Sequence, residues 1–163
     1  MEDRGIMQEF VIAEFTNEYA AAVSDIVVRN LLEVNTADYP LEEMQAVARN
    51  FTPKAIEGFA RWRQIYVALV ADKPVGTASV TKVPEGGARY VLTVFILPEY
   101  QGRGVGGALM AKVEEYAKQA GTTRLIVPSG ITACDFYRKL GFDYISGNKV
   151  LDDQKHYMME KYL

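Results

Sequence analysis

YVLTVFILPEYQGRGVGGALM, residues 90–110, is the segment whose reading decides the fold. Val91 to Leu97 is apolar except at Thr93, and its β-branched and aromatic content marks a buried strand that Pro98 ends. Gln101-Gly102-Arg103-Gly104-Val105-Gly106-Gly107 is a glycine-rich turn, and Val105, Leu109, Val113 and Tyr116 beyond it recur at helical spacing. Strand, glycine loop and helix together outline an anion site. The first turn of a helix presents backbone N–H groups without intrahelical partners, and the macrodipole adds partial positive charge there. Phosphate satisfies both. Side chains at Gly104 or Gly106 would hold phosphate oxygens away from those amides, and Arg103 adds a potential bidentate charge partner.

The chain has 163 residues, 49% of them hydrophobic, which is enough for one sizeable core and too short for two ordinary domains. Residues 1–163 are therefore read as a single domain. A formal net charge of −3 leaves no basic surplus for nucleic acid or an anionic membrane. Cys134 and His156 are the only residues of their kinds, so an intrachain disulfide and a zinc site of several Cys or His ligands are both excluded, and no metal is expected. The opening MEDRGIMQEF lacks an apolar leader core, and no apolar run reaches the length of a membrane span. The expected location is cytoplasmic, with no membrane partner.

Outward from the central segment, residues 9–15 (EFVIAEF) read as a first strand, with Thr16 as N-cap of a helix to about Leu32. Residues 33–40 cluster Asn, Asp and Pro and read as a loop. A second helix starts at Pro40 with Leu41, Met44, Val47 and Ala48 as its buried face, and Thr52-Pro53 opens a short helical piece to about Trp62. Residues 64–70 and 75–82 are strands joined by a turn over Ala71-Asp72-Lys73-Pro74, and Glu85-Gly86-Gly87 turns the chain into the central strand. Three consecutive strands thus form an antiparallel meander. After the loop helix, Gly121 is a C-cap candidate and residues 124–127 a short strand; Pro128-Ser129-Gly130 turns into a helix ending at Gly141. Residues 142–146 and 155–162 read as a closing pair of strands. The fold class is α+β: a mixed, mostly antiparallel central sheet flanked by helices. Exposed strand edges make a homodimer a candidate state.

Gly102 to Gly107 also fits the G-x-G-x-x-G dinucleotide pattern, but that pattern wants the strand to run almost directly into the first glycine and an acid roughly 20 positions on. Here residues 98–101 intervene, and Arg124 stands near the acid's place. A P-loop fails because no Lys-Ser or Lys-Thr follows the glycines.

A different pattern fits better. Gln101-Gly102-Arg103-Gly104-Val105-Gly106 resembles the Q/R-x-x-G-x-G/A loop of the GNAT superfamily of acyl-CoA-dependent N-acyltransferases, and residues 96–100 before it are similar to the family too. Ala133-Cys134-Asp135-Phe136-Tyr137-Arg138-Lys139-Leu140-Gly141-Phe142 is similar to that family's second stretch, A-x-x-F-Y-x-x-L-G-F, in the family's order and spacing. The resemblance spans nearly the whole chain and is specific over residues 93–142.

It implies that the strand before the loop parts from the next parallel strand and admits the pantetheine arm of acetyl-CoA. Main-chain groups of Val94, Phe95 and Ile96 would bind that arm as an added strand does. Amides of Gln101, Gly102, Arg103, Gly104, Val105 and Gly106 would hold the pyrophosphate. The implied reaction is direct attack of a neutral primary amine, borne by a small molecule or a peptide, on the thioester. A strand N–H near Ile96 would stabilise the oxyanion, and Tyr137 would protonate the departing thiolate. The chain departs from the family in carrying no carboxylate on residues 90–96 or 125–127, and in having Gly130 where an asparagine is frequent. Glu99, Asp38 and Glu33 remain distant candidates for a water relay. Asn35 to Pro40 and the two early helices would shape the acceptor side, with Asp38 and Tyr39 as candidate contacts to a cation. Cys134 and His156 are read as structural. The rival reading is a non-catalytic acyl-CoA-binding sensor or interaction domain.

Overall fold

The computed structural model describes residues 9–163; the leader reading of the first residues falls largely outside them. Seven strands form one sheet: β1 (Phe10–Glu14), β2 (Arg63–Val70), β3 (Lys73–Thr81), β4 (Ala88–Ile96), β5 (Arg124–Ser129), β6 (Asp143–Tyr144) and β7 (Tyr157–Tyr162). The spatial order is β1-β2-β3-β4-β5-β7-β6. Only β4 and β5 are parallel, so the sheet is mixed and mostly antiparallel. Five α-helices flank it: α1 (Ala20–Arg29), α2 (Leu41–Ala48), α3 (Pro53–Phe59), α4 (Val105–Gln119) and α5 (Cys134–Lys139).

Period-two alternation along β2 divides the core. Tyr66, Ala68 and Val70 pack with Leu109, Met110, Val113 and Ala117 of α4; Val67 and Leu69 pack with Val23, Val27, Met44 and Ile56 from α1, α2 and α3. The β2–β3 hairpin turns on Ala71 and Asp72 alone, at φ +48° and +64°. Lys73 and Pro74, expected in the turn, are already strand, because two left-handed residues match the twist of a tight hairpin.

Three other expectations need correction. Residues 33–37 are not an open loop, and only 38–40 are irregular: the first helix passes into a π-turn over Asn30–Val34 and a 3₁₀ turn over Asn35–Ala37. Leu41 is 53% exposed, so the buried face of α2 rests on Met44, with Val47 and Ala48 beside it. Pro128 and Ser129 belong to β5, opposite Met158 and Tyr157, whereas the closing strand expected over residues 142–146 is only two residues long. Thr52 caps α3 through its hydroxyl, which accepts from the Ala55 N–H at 3.1 Å.

Candidate functional site

β4 and β5 pair only from Ala88 to Tyr90, against Arg124 to Ile126. Beyond Tyr90 the two strands diverge, and the edge of β4 facing β5 is left open. On its other edge β4 carries a bulge: Thr77 faces Phe95 and Ser79 faces Leu92, so two steps along β3 answer three along β4. Thr93 lies in the bulge at φ +55°. A left-handed β-branched residue stores strain of about 1–3 kcal/mol and re-aims the strand that follows.

The divergence opens a cleft of 1380 Å³ lined by Val94, Phe95, Ile96, Gln101, Gly102, Gly104, Val105, Gly106 and Tyr137 among others. The structure thus brings together every site residue expected from sequence except Arg103, whose guanidinium lies over the Tyr100 ring at 5.4 Å and is not in the lining. Gly104 caps α4 in the left-handed region, at φ +82°, and its carbonyl accepts the helix's first backbone bond from Ala108 at 3.1 Å. The amides of Val105, Gly106 and Gly107 are therefore left without intrahelical acceptors. A Cβ on Gly106 would stand 3.0 Å from the Phe136 ring of α5, so only glycine lets α5 pack this close.

Asn30, which sequence reasoning missed, ties this loop down. Its side-chain N–H₂ donates to Ile26 O at 2.9 Å and to Ile96 O at 2.9 Å, and its oxygen accepts from Gln101 Nε2 at 3.3 Å. Gln101 Nε2 also reaches Ile96 O at 3.2 Å. A buried asparagine inside a helix's apolar stripe is the one signal that could have found it.

Tyr137 sits edge-on between Phe136 and Phe142, with centroids 5.0 and 5.7 Å away. Only 6% of the residue is exposed, and among the described residues its hydroxyl has no hydrogen-bond partner. Burial pushes the phenol well above its ordinary value of 10, so it is a proton donor throughout the neutral range.

Side chains complete the cleft wall, and an ion-paired cluster stands outside its lining. Arg29 binds Glu99 through two hydrogen bonds, at 2.9 and 3.2 Å, and Glu33 at 3.0 Å. The hydrogen bonds from Arg29 hold the Glu99 carboxyl below its usual range. Asp38 accepts from the Thr132 hydroxyl at 2.8 Å. The Tyr39 hydroxyl donates to Lys155 O at 2.8 Å and accepts from the Ile131 N–H at 3.2 Å, so it fastens two loops together. Cys134 is buried with its sulfur 3.4 Å from Ser129 Oγ, and His156 lines the cleft with its main-chain N–H bound to Asp152. Among the described residues, no group of three or more His, Cys, Asp or Glu side chains is placed to hold a metal ion, and no helix is long and apolar enough to cross a membrane.

Sequence relatives and solved structures of the same fold are known. Similar curated proteins include an uncharacterized N-acetyltransferase of Methanocaldococcus jannaschii, 31% identical over 48% of this chain and 38% of that one, so the match spans well under half of that relative. Another is the uncharacterized N-acetyltransferase YjcF of Bacillus subtilis, 25% identical over 78% of this chain and 90% of its own. Among solved structures, the PaiA N-acetyltransferase of Thermoplasma acidophilum, in complex with coenzyme A, superposes with a TM-score of 0.81 at 15% identity, over 95% of this chain and 99% of that one. A GCN5-related N-acetyltransferase of Rhodopseudomonas palustris gives 0.80 at 24% identity, over 97% and 98%. The model of the acetyltransferase (GNAT) family matches residues 28–142, and the chain belongs to that family.

Proposed function

We propose that this protein transfers the acetyl group of acetyl-CoA to a primary amine, by direct attack within a ternary complex. The observation that carries the reading is the parting of β4 from β5 immediately before a left-handed Gly104 that opens the first turn of α4. That arrangement offers an unpaired strand edge and a cluster of free amides side by side. Main-chain groups of Val94, Phe95 and Ile96 take the pantetheine arm, and the loop from Gln101 to Gly106, Arg103 included through its amide, takes the pyrophosphate. A strand N–H near Ile96 donates to the thioester oxygen as it gains charge. Tyr137, buried and protonated, passes its proton to the departing sulfur.

The amine must lose a proton before attack, and no side chain on β4 or β5 serves as base. Glu99 and Glu33 are held by Arg29, which removes them from the relay candidates and leaves Asp38 at the cleft wall. Water carries the proton outward in this account.

Purified protein incubated with acetyl-CoA and a panel of amines tests the proposal through release of free thiol. Turnover on at least one amine supports it. CoA binding by calorimetry with no thiol release on any amine, and no effect of Tyr137→Phe, points instead to a non-catalytic acyl-CoA sensor.

A further inference from the structure

We infer that Arg63 is a carboxylate-binding residue in the acceptor half of the cleft, and that the amine accepted there carries a carboxylate group. The inference rests on the acetyl-transfer reading for the word acceptor, but its physical basis is independent of it.

Arg63 opens β2 directly after α3 and shares the strand face of Ile65, Val67 and Leu69, the face that α1, α2 and α3 cover. Its guanidinium lies over the rings of Phe59 and Trp62, 4.3 and 4.2 Å from their centroids. Nη1 donates to Thr93 Oγ1 at 2.8 Å, in the bulge of β4. Nε is buried and has no partner, and among the described residues no carboxylate lies within ion-pair distance. Arg63 also lines the cleft, and it is the one arginine or lysine in that lining. Arg29 and Arg124, by contrast, are each paired with a glutamate.

A guanidinium partly removed from water without an anion is costly, and its buried Nε–H has nothing to bind. Burial alone pulls its pKa down to about 10, so it is still charged at neutral pH. The planar fork matches a carboxylate held by two parallel hydrogen bonds. A doubly charged phosphate fits less well, because Asp38, Glu43, Asp152 and Asp153 line the same cleft with a single guanidinium among them. Asp152 and Asp153 stand on the segment that leads into β7, across β4 from Arg63, and complement an ammonium group. The cleft is therefore polarised for a zwitterion. Thr93 precedes Ile96 by three residues, roughly 10 Å of strand, so a small acceptor can span from a carboxylate at Arg63 to the proposed thioester position. Met44, Val47 and Phe51 in the same lining favour an apolar body on the acceptor.

The test is direct binding, read separately from turnover. CoA-loaded protein is titrated with N-acetyl-L-leucine, N-acetyl-L-phenylalanine and 4-acetamidobutanoate, each beside its primary amide, which keeps the shape and removes the charge. The Arg63 Nε–H resonance is followed by NMR and assigned by its loss in R63K. The expected result is at least one acid that binds about tenfold more tightly than its amide, which is about 1.4 kcal/mol, and that shifts the Nε–H signal. R63Q should abolish that preference while leaving CoA affinity unchanged, and R63K should retain part of it. Equal binding of acids and amides, or a silent Nε–H signal with every acid, overturns the inference. So does an R63Q protein of lowered Tm that keeps the preference, because Arg63 is then only a clamp on the bulge. If R63Q does not fold, the wild-type comparison and the Nε–H signal decide. An intact acid preference without thiol release on any amine leaves the site standing and removes the acetyl-transfer reading alone.

Discussion

The two halves of the cleft are built from different material. The half proposed for CoA presents main chain: the open edge of β4 and the amides that follow Gly104. The opposite half presents side chains fastened to one another across long stretches of sequence, Arg63 to Thr93, Tyr39 to Lys155 and Asp38 to Thr132. Backbone binding suits a ligand that never varies, because it depends on φ/ψ and glycine and survives most substitutions around it. Side-chain binding suits a ligand that defines one protein among many. Only substitutions that disturb the backbone of the first half should accordingly weaken binding of CoA, and those in the second should change only what is acetylated.

Tyr137 stands where the halves meet, and its replacement should produce the largest effect. Tyr137→Phe keeps the ring between Phe136 and Phe142 and removes only the hydroxyl. We expect kcat to fall by about 10²-fold or more with CoA affinity unchanged. Because burial raises this phenol's pKa, deprotonation is pushed to more alkaline pH, and the wild-type rate should show no alkaline limb from Tyr137 up to about pH 10. A limb near pH 8 or 9 that disappears in Tyr137→Phe would show that burial does not govern the group.

Next in size is Gly104→Val. The residue stands at φ +82°, where a side chain costs about 1–2 kcal/mol and a β-branched one more. Its Cβ would meet open space, so the loss is conformational and not a clash within the protein. Calorimetry should show CoA affinity reduced about 100-fold, equivalent to about 2.7 kcal/mol. Retained affinity would mean that the loop amides do not hold the pyrophosphate.

These two positions were legible because their chemistry is local. The glycine pattern follows a strand and opens a helix within a single stretch, and Tyr137 lies in a second compact pattern. The meander and the helix pair were readable for the same reason, through alternation and caps. Pro128 misled because proline usually ends a strand; past Ile126, β5 has no β4 partner, so a residue without an N–H sits on a free edge at little cost. The π-turn over Asn30–Val34 was hidden because the contact that accompanies it is tertiary. Asn30 satisfies Ile96 O, 66 positions away, and no local spacing encodes that. Arg63 reads in sequence as an ordinary basic residue before a strand, and only folding shows that its charge is unpaired.

Asn30 supplies the third prediction, because its buried side chain ties the end of β4 to the first helix. Asn30→Ala leaves Ile96 O with Gln101 as its remaining side-chain donor. Losing a buried, satisfied amide costs about 1–3 kcal/mol, which in a chain of this length lowers Tm by about 3 to 10 °C. CoA affinity should drop by a smaller factor than in Gly104→Val, because the amides remain but their loop is less fixed. A Tm shift with unaltered affinity would separate the stability of the loop from its geometry.

The smallest effect is expected at Glu99, although it lies within the central segment and is a carboxylate near the loop. Both of its oxygens face the Arg29 guanidinium, which also takes Glu33, and all three side chains stand well into solvent. The hydrogen bonds from Arg29 lower the Glu99 pKa, so its carboxylate is a poorer proton acceptor than a free one. An exposed ion pair of this kind contributes little. Glu99→Gln should therefore leave kcat within about twofold of wild type and leave the acidic limb of the pH–rate profile in place. If that limb vanished with Glu99, the base would belong to the CoA half of the cleft, and the division between an invariant main-chain wall and a substrate-defining side-chain wall would fail at this residue.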